Sequence, residues 1–79
     1  MKIPRDVNAS ELISVLTRYG YSIVRQTGSH IRLEIEHNNE THAITVPNHK
    51  PIKVGTFHAI AKDVCNFNKI NVSDFYECF

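Results

Sequence analysis

The stretch His30-Ile31-Arg32-Leu33-Glu34-Ile35-Glu36 alternates polar and apolar side chains without a break. Successive side chains on a strand point to opposite faces, so this period of two predicts a strand with one face buried and the other in water. Ile31, Leu33 and Ile35 face the core in this reading, while His30, Arg32, Glu34 and Glu36 face solvent. Asn38-Asn39-Glu40 supplies a turn, and Thr41 to Val46 returns as a second strand with Ile44 and Val46 on its apolar side. Pro47 ends that strand because it has no N–H to give to a ladder, and Pro51 keeps Asn48 to Lys53 irregular.

Working outward, Tyr21 to Gln26 is β-prone and stops at Thr27-Gly28, which predicts a third strand. Ahead of it, Asn8-Ala9-Ser10-Glu11 has the form of a capping box, and Leu12, Val15, Leu16 and Tyr19 follow at helical spacing. Gly20 is a natural stop, so a first helix is expected over residues 9–19. Downstream, a second helix begins near Gly55-Thr56 and turns Phe57, Ile60, Ala61 and Val64 inward. Ser73-Asp74 opens a short turn or helix that holds Phe75, Tyr76 and Phe79. The order is α-β-β-β-α with a small helix appended. Strands with one polar face require the helices to cover only the other, which gives an α+β fold with a three-stranded antiparallel sheet.

A chain of 79 residues makes one small domain and has no room for a dinucleotide fold, a barrel or a second lobe. Its 42% hydrophobic and 22% charged residues are ordinary for a soluble globular protein. The net charge of +1 excludes a histone-like polycation, so any basic surface must arise by local clustering. Cys65 and Cys78 make neither a CxxC pair nor a disulfide framework. The opening Met-Lys-Ile-Pro-Arg-Asp leads into polar residues rather than a signal segment, and no apolar run nears the ~20 residues of a membrane span. A cytoplasmic protein with reduced thiols and no membrane association is expected. Five histidines raise the question of zinc, but no HxxxH pair, CxxC or acidic ligand cluster accompanies them. No P-loop or nucleophile elbow occurs either, so neither a metal nor a cofactor is expected.

Gly28-Ser29-His30 is the most informative segment for chemistry. Glycine allows a tight turn, serine adds a hydroxyl, and histidine can take or give a proton near neutral pH. A Gly-Ser turn before an exposed histidine is also common loop chemistry. Strand parity, however, sets His30 opposite the buried face, so core packing does not account for it. Arg32 lies about 6.6 Å along on the same face, where a guanidinium suits a phosphodiester. His49 stands in the loop Pro47-Asn48-His49-Lys50-Pro51 with Lys50 and Lys53 nearby, a basic loop that runs into a helix N-terminus and so favours anions. Edge packing is the reading for His37 and His42, and a solvated helix face for His58.

Four segments carry a resemblance to a known family. They are Arg18-Tyr19-Gly20-Tyr21, Arg25-Gln26-Thr27-Gly28-Ser29-His30, Thr45-Val46-Pro47-Asn48-His49 and Val54-Gly55-Thr56-Phe57, the last continued by Ile60. In this order they resemble the HicA family (the YcfA-like group), small toxins of bacterial toxin–antitoxin pairs. The resemblance covers residues 9–65 as a core, with 66–79 as a C-terminal extension of one domain spanning 1–79. Phe57 replaces the family's usual leucine, and the tail after Asn66 is longer than in many members.

The resemblance implies a fold like a double-stranded-RNA-binding domain and a ribosome-independent endoribonuclease acting on mRNA. It also implies a HicB-like antitoxin that holds the toxin in check. The catalytic histidine of the Gly-Ser-His motif falls on His30, and the Pro-x-His histidine falls on His49. Gly28, Ser29, Arg32, Lys50 and Lys53 are the supporting or RNA-binding candidates. The chemistry agrees, because RNA carries its own nucleophile in the 2′-hydroxyl, and cleavage needs only a base, an acid and charge stabilisation. Two other classes compete. A non-catalytic double-stranded-RNA-binding module calls for a lysine run at the start of its second helix, where this chain has Lys53 and then only Lys62. An accessory that acts only within a complex is compatible with the near-neutral charge.

Overall fold

Helix α1 (Ala9–Arg18) begins where Glu11 reaches back, its carboxylate accepting the Asn8 N–H at 3.0 Å. Its apolar stripe, Ala9, Leu12, Val15 and Leu16, is buried. At its end the Tyr21 N–H donates to the Leu16 carbonyl at 3.0 Å and the Gly20 N–H to that of Thr17 at 3.1 Å, the paired bonds of a Schellman stop. Gly20 sits at φ +111°, and a Cβ there would lie 3.2 Å from the Ile35 Cδ1. The left-handed backbone therefore selects glycine at this stop, and a larger residue would also press on the Ile35 methyl.

The computed structural model describes residues 2–79. After α1 come β1 (Ser22–Thr27), β2 (His30–His37) and β3 (Glu40–Pro47), an antiparallel meander in the order β1-β2-β3. The first hairpin turns on Gly28-Ser29 with Gly28 at φ +56°, a two-residue connection that needs glycine at its first position. The second turns on Asn38-Asn39, at φ 52° and 66°, where asparagine tolerates the left-handed backbone. Glu40 is thus the first residue of β3 rather than part of the turn.

Helix α2 (Val54–Asn68) and the short α3 (Val72–Tyr76) complete the chain. Ile31, Leu33, Ile44 and Val46 from the sheet meet Leu12, Leu16, Phe57, Ile60, Ala61 and Val64 from the helices in one core. All helices lie on one face of the sheet, as the period-two pattern requires. This α-β-β-β-α-α order, with an open three-stranded antiparallel sheet, is a double-stranded-RNA-binding-domain-like α+β fold. The segment after α2 is no appendage. Phe75 and Tyr76 are buried, with Phe75 5.6 Å from Tyr19, the C-cap of α1, and Tyr76 5.7 Å from Phe57 of α2 between ring centroids.

The helical layer is offset toward β3. It packs on β3 and leaves β1 uncovered, so all six residues of β1 are exposed. Ile23 pairs with the buried Leu33 and shares its helix-side face, yet it remains 53% exposed.

Candidate functional site

The cross-strand register turns parity into geometry. Thr27, His30 and Pro47 form one row on the polar face of the sheet, and Arg25, Arg32 and Thr45 form the next. His30 and Arg32 are both exposed on this face. The side-chain hydrogen bonds that histidines make within the described residues belong to His42 and His58, which leaves the His30 imidazole unengaged. Arg32 is oriented by Glu34, whose carboxylate accepts its Nε–H at 3.0 Å. That bond leaves the two terminal amino groups of the guanidinium free, because a guanidinium presents its donors as a fork.

The loop that follows β3 is drawn to the same end of the sheet. Pro47 lies opposite His30, and the Asn48 N–H donates to the Ser29 carbonyl at 2.6 Å. The His49 carbonyl accepts the Ala9 N–H at 3.1 Å, and the Ile52 N–H donates to the Val7 carbonyl at 2.8 Å. Ile52 is buried, and it pins the loop between the Gly28-Ser29 hairpin and the chain entering α1. Gly28, Ser29, His30 and His49 are thereby gathered from two distant parts of the sequence. Lys50 and Lys53 are exposed on the same loop, Lys53 at the N-cap of α2. The first turn of α2 has no acidic residue and no side-chain cap, so its positive end is not neutralised from within the helix. Arg32 lies one row further into the sheet than this cluster.

The remaining histidines separate into three kinds. His42 faces the helices, stacked on Phe67 at 4.6 Å, with its Nε2 3.1 Å from Asp63 and its Nδ1 2.8 Å from the Tyr21 hydroxyl. The Asn68 amide donates to that same hydroxyl at 2.9 Å. Donation runs consistently from Asn68 to Tyr21 to His42 to Asp63 when the His42 proton sits on Nε2. Burial pushes the Tyr21 phenol up from its ordinary range, and Asp63 adds to this, while the Asn68 bond opposes it. His37 is exposed rather than packed at the sheet edge, at the rim of an open cleft that it shares with Asn66 and Phe67 of α2. His58 is half-buried and hydrogen-bonded to the Tyr76 hydroxyl, not merely solvated. Its partner comes from α3, whose place against α2 no local spacing announces.

Arg25 escaped the sequence reading. It stands directly across from Arg32, and no ion pair among the described residues includes it. No helix of the described residues is long and apolar enough to cross a membrane.

The chain is thus a small protein of double-stranded-RNA-binding-domain-like fold that exposes a histidine and two arginines on the polar face of its sheet. Over residues 9–64 the chain matches the model of the HicA toxin of bacterial toxin–antitoxin systems, and it belongs to that family. Membership makes it the toxin of such a pair and implies a cognate antitoxin. Neither a curated protein nor a solved structure matches the chain.

Proposed function

We propose that this toxin is a ribosome-independent endoribonuclease that cuts mRNA in the cytoplasm with His30 as its catalytic group. The observation that carries this reading is the free, exposed imidazole of His30 on the polar sheet face, beside Arg32 and the loop bearing His49 and Lys50. In the reaction His30 takes the proton of the 2′-hydroxyl, and the 2′-oxygen forms a bond to the adjacent phosphorus. The bond from phosphorus to the 5′-oxygen breaks, and that oxygen receives a proton. His49, on the loop tied to Ser29, is the second imidazole at this end of the sheet and the candidate acid. Lys50, Lys53 and the α2 N-terminus offset the charge that builds on the scissile phosphate, and Arg32, one row further along the sheet, binds the RNA backbone beside it.

A HicB-like antitoxin neutralises the toxin by covering the polar sheet face. Among the described residues nothing covers His30, and an interface of standard size, roughly 800 Å² per partner, spans much of such a face.

The products test the chemistry. Cleavage of an end-labelled mRNA should leave a 2′,3′-cyclic phosphate on one fragment and a 5′-hydroxyl on the other. Fragments with 5′-phosphate ends would mean that water, not the 2′-hydroxyl, is the nucleophile, and the reading would fall.

A further inference from the structure

The pairing of β1 with β2 is interrupted once. Ile23 lies opposite Leu33 and Arg25 opposite Arg32, so Val24 is an extra residue, a β-bulge. Side chains alternate along a strand, and one added residue reverses the face of everything beyond it. In an unbulged ladder running on from the Ile23–Leu33 pair, Arg25 would meet Ile31 and point to the helix side. The bulge instead sets Arg25 on the polar face, across from Arg32 and one row from His30.

This arrangement has no evident benefit to the free protein. Like charges directly opposite on neighbouring strands destabilise a sheet. Glu34 engages Arg32 and so leaves Arg25 without a counter-charge. The bulge also leaves Val24 51% exposed. Arg25, Arg32, Glu34 and Val24 line an open cleft of about 390 Å³ on the sheet surface. With Glu34 offsetting one guanidinium, the cleft keeps one net positive charge and the free N–H groups of two arginine forks. Such a pair fits a phosphate, which accepts from several N–H donors at once.

We infer that Arg25 and Arg32 together bind the backbone phosphate next to the one cleaved at His30. The inference rests on the nuclease reading and supplies it with a second subsite. Rows on the polar face that are two residues apart lie about 6.6 Å from each other, comparable to the step between successive phosphates of an extended strand. An RNA strand crossing the sheet with one phosphate at His30 therefore has a neighbour over the arginine row. The clamp reads no base. It fixes the register of the backbone so that the scissile bond stays beside the imidazole.

The test uses a short RNA with its cleavage site mapped, made uncleavable by a 2′-deoxy substitution there. Arg25→Gln should bind it about tenfold more weakly than the wild type, with a salt dependence flatter by about one phosphate contact. Arg25→Lys should keep the salt dependence while losing part of the affinity, since it retains the charge but not the fork. Replacing the flanking phosphate by a neutral methylphosphonate should weaken binding to the wild type and weaken binding to Arg25→Gln by clearly less, since only the Arg32 contact is then left to lose. Coincident thermal melts would establish that the variants are folded. If the wild type cleaves RNA but Arg25→Gln binds with unchanged affinity and salt dependence, the subsite is wrong and the nuclease reading stands. The same holds if Arg25→Gln loses only antitoxin binding, because the pair would then serve the protein partner. If the wild type neither binds nor cleaves RNA, the nuclease reading fails and the subsite with it.

Discussion

The two outer strands of this sheet have the same length to within two residues and lead opposite lives. Strand β3 buries Ile44 and Val46 against α1 and α2, whereas β1 buries nothing and is joined to the rest chiefly by its ladder to β2. Stability therefore resides in β2, β3 and the helices. A strand that contributes little to the core is free to carry a bulge and an unpaired charge, and β1 carries both. The division also leaves the polar-face residues free for the chemistry proposed above, since every side chain that holds the sheet to the helices points the other way.

Deleting the same side chain on each outer strand separates their roles most clearly. Ile44→Ala on β3 should cost about 2–5 kcal/mol in a urea melt, from lost burial plus the cavity left behind. An intermediate cost is expected at the junction between strands and helices. Tyr21→Phe, just before β1, leaves the Asn68 amide and the His42 Nδ1 without their shared partner and should cost about 1–3 kcal/mol. Ile23→Ala on β1 should fall within about 0.5 kcal/mol of the wild type, although Ile23 and Ile44 lie on the same face. Equal costs for Ile23→Ala and Ile44→Ala would show that β1 contributes to the core after all.

How much of this was legible follows the same division. The alternation from His30 to Glu36 specified β2, its two faces and the exposure of His30, because a strand buried on one side has only one register that keeps its apolar set inside. The stops at Gly20 and Pro47 were legible because each residue has a backbone property that the position demands. The face of Arg25 was not. Nothing in Ser22-Ile23-Val24-Arg25 marks Val24 as the extra residue, since a bulge is defined by the partner strand. The gathering of His49 toward Ser29 and the bond from His58 to Tyr76 were hidden for a related reason. Both join segments far apart in the chain, and spacing within one segment carries no information about the other. The sequence from Asn66 onward carries no periodicity that ties it to the core, yet Phe75 is fully buried there.

In the proposed division of labour the bare face of the sheet does the chemistry, with His30 as the reacting group, and the covered face supplies stability. The most direct measurement pairs an RNA-cleavage assay with a thermal melt on His30→Ala. Cleavage should fall to background with a melting temperature close to the wild type, because the His30 side chain is exposed and makes no hydrogen bond among the described residues. Cleavage at the wild-type rate by a folded His30→Ala would contradict the proposed division.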